Sequence, residues 1–148
     1  MALIVEDGTG IVDAASYISV ATANTYWVER SRTTFATTWA AGSTENKEGA
    51  AREATDFLDA NFGAAYKGDR KSYVQGLMWP RTGAMDESGY ELPDLPSELV
   101  QAACELSARA ISARLAADAD LSGVVSKVSE KVGPVASSTE YKDGAGPD

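Results

Sequence analysis

Two stretches of the chain place apolar residues at helical spacing, and the segment between them is too rich in glycine and proline to be helical. In the first, Ala51, Ala54, Leu58 and Phe62 recur every three or four residues with Phe57 beside them. Gly42-Ser43-Thr44 supplies a break and a cap, Glu45 and Glu48 lie where the helix dipole favours acids, and Gly63 is a natural stop. This predicts a helix over 44–62. In the second, Leu99, Ala103, Leu106, Ala110 and Ala113 form a narrow seam that Ile111 and Leu115 widen, with Ser97 expected as cap and Glu98 in the first turn. Seams of small residues let helices approach closely, which suits a bundle.

Residues 63–96 hold five glycines and three prolines and read as turns and short strands. Leu77-Met78-Trp79 and Tyr90-Glu91-Leu92 are expected to flank a hairpin closed through Asp86-Glu87-Ser88-Gly89. Upstream, Tyr17-Ile18-Ser19-Val20 leads into a helix capped by Ser19 or Thr22. That helix runs to about Arg30, with Tyr26 and Trp27 inward. Phe35 and Trp39 follow, four apart as on one helical turn. The fold class expected is mainly α: a small helical bundle with a short β-hairpin or loop insertion and an extended C-terminal arm. Residues 1–122 would form the helical domain, with 1–15 an extended N-terminal segment, and 123–148 the arm.

The arm is defined by a change of character after Gly123. Val124, Val125, Val128, Val132 and Val135 are interspersed with Lys127, Glu130 and Lys131 before and around Gly133-Pro134. The spacing 124, 128, 132 also fits a helix face, but valine enrichment between Gly123 and Gly133-Pro134 favours a strand. Beyond Ser137 the chain is polar, with Tyr141 its lone aromatic, and is expected to order only on a partner.

Composition removes much of the usual catalytic chemistry. There is no histidine and one cysteine, Cys104, so no imidazole base, no Ser-His or Cys-His pair and no internal disulfide. No enzymatic activity, cofactor or metal is expected. Cys104 lies among Ala102, Ala103 and Leu106 and reads as a small buried residue. The acidic turn 86–89 lacks the ligand spacing of a calcium loop, the glycines do not form a phosphate-cradling loop, and Asp56 and Asp59 read as a solvated helix face. No apolar run approaches the ~20 residues that cross a bilayer. Residues 1–10 carry Glu6 and Asp7 without a basic cluster, so a soluble protein of a reducing cytoplasm is the default.

The net charge of −9 is unevenly spread. Only residues 67–81 are basic, with Lys67, Arg70, Lys71 and Arg81 against Asp69. Tyr73 and Trp79 are interleaved with these cations, as is Tyr66 just before them. That is the pattern of a stacking-plus-phosphate site for single-stranded nucleic acid. The other reading of the same residues places Trp79 in the core and pairs the cations with acids of a neighbouring subunit. The acidic background repels phosphate.

Four segments in this order resemble a family of tailed-bacteriophage head–tail connector (adaptor) proteins. They are Tyr17 to Val20, Ala54-Thr55-Asp56-Phe57-Leu58-Asp59, Gln75 to Gly83 with its Trp79-Pro80-Arg81, and Ser129 to Pro134. Members of that family often carry the label DnaT-like single-stranded-DNA-binding protein. The resemblance implies a structural virion subunit that forms a ring, typically dodecameric, beneath the portal at the head–tail junction. Its implied partners are other copies of itself, the portal and downstream tail or head-closure proteins. Packaged DNA would pass without specific binding, and assembly would occur in the host cytoplasm. The binding arm would then comprise Val124, Val125, Val128, Glu130, Lys131, Val132, Gly133, Pro134, Val135 and Tyr141. Lys67, Arg70, Lys71, Tyr73, Trp79 and Arg81 would form an inter-subunit or nucleic-acid patch. The second function carried by the residues is that of a single-stranded-DNA-binding replication accessory.

Overall fold

In a computed structural model that describes residues 2–116, each helix begins where a hydroxyl can serve an orphan N–H or a proline ends an extended run. Helix α1 spans Val20–Val28, and the Ser19 hydroxyl accepts from the Thr22 amide. Helix α2 spans Thr34–Ala41 under a Thr33 cap, and α3 spans Thr44–Phe62 under a Ser43 cap. A short 3-10 turn, Gly63–Ala65, follows α3. The last helix, α4, spans Ser97–Ser112. Here the expected cap is corrected: Pro96 occupies the N-cap with no side-chain bond, and Ser97 is the first helical residue. The Ser97 hydroxyl lies 3.4 Å from the Glu98 carboxylate instead of on a backbone amide.

The fold is mainly helical with a small two-stranded antiparallel hairpin. Its central contact is α3 against α4, with Ala50, Ala51 and Leu58 in one buried cluster with Leu99, Ala103, Cys104 and Ala108. Alanines at the seam bring the two backbones together, as their spacing predicted. Helices α1 and α2 cover the same core, sending in Trp27 and Trp39. Each indole also finds an acceptor: Trp27 donates to the Cys104 carbonyl at 3.3 Å and Trp39 to the Asn24 amide oxygen at 2.8 Å.

Strands β1 (Asp69–Arg70) and β2 (Arg81–Thr82) pair in the register Asp69↔Thr82 and Arg70↔Arg81. An isolated antiparallel bridge, Met85↔Glu91, closes the turn through Asp86–Gly89. The expected hairpin therefore keeps its turn and its second flank but not its first. Met78 and Trp79 cannot ladder because their amides are committed elsewhere: Met78 donates to Asp59 and Trp79 to the Tyr17 hydroxyl. The N-terminal segment is woven into the fold, with Glu6 N–H donating to Ser16 and Ala15 N–H to Ile4. The arm residues Val124 to Val135 and Tyr141 lie outside the described residues.

Candidate nucleic-acid interface

Segment 67–81 turns into β1 at Gly68, whose φ of +72° is left-handed. A β-carbon there would sit 2.3 Å from the Thr82 carbonyl oxygen, so the close approach of β1 to β2 needs glycine. Beyond β1 the loop is held from inside by Gln75, which is buried. Its amide nitrogen donates to the carbonyls of Leu77 and Pro80 at 2.8 and 2.9 Å, and its oxygen accepts from the Ser72 amide at 2.8 Å. One polar side chain thus replaces the ladder bonds that a loop of this length lacks.

The loop is also held from below. Gly76 N–H donates to the Ile11 carbonyl at 3.1 Å. Residues 6–11 are shaped in turn by the buried Glu6 carboxylate, which accepts from the amides of Asp7, Gly8, Gly10 and Ile11 at 2.9–3.1 Å. From α3, Asp59 accepts the Tyr17 hydroxyl at 2.6 Å and the Met78 amide at 3.1 Å, while the Tyr17 oxygen accepts from the Trp79 amide at 3.2 Å. Burial pushes the Asp59 carboxyl above the ordinary aspartate value, against the lowering effect of its donors. Asp59 is thus a partly buried tie, and its reading as part of a solvated face is corrected. Its partner Tyr17 lies 42 residues away, out of reach of any local pattern.

The six residues of the basic stretch divide by environment. Trp79 is 4% exposed and packs edge-on against Tyr66 at 5.8 Å, so it belongs to the core and offers no stacking face. Among the described residues its indole nitrogen is the one buried side-chain polar atom without a partner. Arg81 is also buried. Its guanidinium donates to the carbonyls of Lys67, Gly68 and Met78 at 2.7, 2.6 and 3.0 Å, which closes the segment on itself. Lys71 donates to the Gly8 carbonyl and pairs with Asp94, both at 3.2 Å. Lys67, Arg70 and Tyr73 remain exposed, Tyr73 at 88%, with Val74 beside it at the loop tip. Neither Lys67 nor Arg70 makes an ion pair among the described residues. The structure thus leaves two cations without an ion pair and one aromatic of the sequence-derived patch on the surface, ties the exposed Lys71 to Asp94, and assigns Trp79 and Arg81 to the interior.

Two other chemistries have little to build on. Among the described residues no three His, Cys, Asp or Glu side chains gather as metal ligands would. Burial raises the Cys104 thiol to about 12, which keeps it protonated and unreactive near neutrality.

A family described as "Putative DnaT-like ssDNA binding protein" matches residues 1–147. The chain belongs to this family. No curated protein and no solved structure matches it significantly. The match overturns the connector expectation: the DnaT-like family is described by single-stranded DNA binding. The ring beneath a portal, the portal and tail partners, and DNA passing without specific binding have no support in it.

Proposed function

We propose that this DnaT-like chain binds single-stranded DNA, using Tyr73 as a stacking surface and Arg70 and Lys67 as phosphate contacts. The observation that carries this reading is Tyr73 itself. A tyrosine 88% exposed at the tip of a loop pinned from three sides is costly to leave in water. Every nucleobase has a π-face, so such a ring accepts unpaired bases with little regard to sequence. The family match over nearly the whole chain supports the same class of ligand.

The charge distribution sets the strength of this binding. With two exposed cations of this loop free of ion pairs, on a chain of net charge −9, few counterions are released and the acidic remainder opposes approach. Two phosphate contacts correspond to a slope of about −1.4 in log K against log salt. Raising the salt from about 0.01 to 0.1 M should then weaken binding about 25-fold. Fluorescence anisotropy with a labelled oligothymidine measures this directly, with the matching duplex as comparison. Preference for the single strand with a slope near that value supports the reading. No binding at the lower salt, or equal binding of the duplex, overturns it.

A further inference from the structure

Away from the tip of the 67–74 loop, the end of α3, the first turns of α4 and the 84–92 turn region enclose an open groove of about 580 Å³. Its walls are apolar: Leu58 and Phe62 from α3, Leu99 and Ala102 from α4, Met85 and Leu92 from the turn region. Phe62 is 48% exposed and Met85 43%, so two large apolar side chains stand half in water on the same concave surface. Clustered apolar exposure of this kind marks interaction sites, and methionine adapts its shape to what packs on it. The volume lies mid-range for sites that hold a ligand or a few anchoring side chains.

The rim narrows the choice of occupant. Asp86 and Glu87 from the turn and Glu98 from the start of α4 line the groove, against Lys67 alone. A nucleic-acid backbone would bring phosphates against three carboxylates, which disfavours DNA here. A second copy of this chain carries a net charge of −9 and meets the same repulsion. An added strand needs an open row of backbone N–H and C=O groups. This groove instead presents the side chains of two helices and a closed turn.

We propose that the groove receives an amphipathic, basic helix of a partner protein. Apolar residues of that helix at i, i+3 or i+4 and i+7 fill the floor between Leu58, Phe62 and Leu99. Its lysines or arginines face Asp86, Glu87 and Glu98. The charges set specificity and the rate of encounter, and the apolar floor sets the lifetime of the complex. This site stands apart from the DNA-binding reading and shares only Lys67 with it.

The test uses the full-length protein and a labelled Leu/Lys amphipathic peptide of about 18 residues, five helical turns. A scrambled peptide of the same composition and a Leu/Glu peptide with the same apolar face serve as comparisons. The expected result is saturable binding of the Leu/Lys peptide, at least tenfold weaker binding of the other two, and a loss of at least tenfold on Phe62→Glu. The double variant Glu87→Lys/Glu98→Lys changes exposed rim carboxylates and leaves in place Asp86, whose carboxylate accepts from the Ser88 and Tyr90 amides. It should weaken the Leu/Lys peptide and strengthen the Leu/Glu peptide. No binding of the Leu/Lys peptide, equal binding of the scrambled one, or indifference to both sets of substitutions overturns the proposal. So does displacement of the peptide by oligothymidine together with loss of oligothymidine binding in Phe62→Glu, which would assign the groove to DNA.

Discussion

Replacing Tyr17 by Phe removes a single oxygen from the tie between α3 and the loop that carries Tyr73. The ring is 2% exposed, and phenylalanine fills the same space, so packing is preserved and the hydrogen bonds are isolated. Two partners are orphaned: the Trp79 amide, which donates to the hydroxyl at 3.2 Å, and Asp59 Oδ1, which accepts from it at 2.6 Å. A buried amide left without an acceptor costs about 1–3 kcal/mol, and a bond to a charged group contributes about 1.5–3 kcal/mol. Part of the second is recovered, because Asp59 is only partly enclosed. The expected destabilisation is about 3 kcal/mol, or roughly 9–15 °C in Tm for a chain of this size. Asp59→Asn should cost about 2 kcal/mol by turning an acceptor into a donor against either the Met78 amide or the Tyr17 hydroxyl. Because the two side chains share one network, the double variant should fall short of additivity by about 1 kcal/mol or more. Thermal and urea unfolding of all four proteins measure the cycle. A Tm within about 2 °C of wild type for Tyr17→Phe, or additivity within about 0.5 kcal/mol, would refute the tie.

Three further outcomes follow from other side chains. Arg81→Lys keeps the charge but cannot reach three carbonyls with one ammonium, so it should cost about 2–3 kcal/mol in urea unfolding. Glu105 is pushed up by burial, but the Tyr26 hydroxyl and Arg109 outweigh that and hold its carboxyl below the ordinary glutamate value. Its stabilisation is therefore present above about pH 4.5 and lost as the pH falls through the lowered folded value. Glu105→Gln should cost less than about 1 kcal/mol near neutrality, since the Arg109 pair is partly exposed, and should converge with wild type in acid. Cys104 should resist iodoacetamide at pH 8 in the folded protein and react once the protein is unfolded in urea. Rapid native labelling would place it outside the α3–α4 core.

How far the fold could be read from the sequence depended on how local each determinant is. Helix α3 shows its cap, its periodicity and its terminating Gly63 within about twenty neighbouring residues, and the structure has it over Thr44–Phe62. The helix after Ser19 is marked in the same way by a hydroxyl and an inward tryptophan. What escaped the sequence pattern is non-local. Asp59 resembles any helix-surface acid until Tyr17 and Met78 are brought to it. The hairpin's first flank was misplaced because the amides of Met78 and Trp79 serve that same tie, and composition cannot show it. The basic stretch was legible as a cluster, but charge pattern does not separate a cation facing solvent from one that satisfies carbonyls. Arg70 and Arg81 are direct partners across the ladder, yet one is exposed and the other buried. Trp79 followed the core-plugging reading of the same residues.

The most direct test of DNA binding at the loop tip is photocrosslinking to bromodeoxyuridine-substituted single-stranded DNA, followed by tryptic mapping. Cleavage after Lys71 and Arg81 releases residues 72–81 as one peptide containing Tyr73. The account predicts that the crosslink falls on this peptide, at Tyr73, and disappears in Tyr73→Ala while a fully paired duplex gives none. Crosslinks confined to other peptides, or a yield unchanged in Tyr73→Ala, would contradict it.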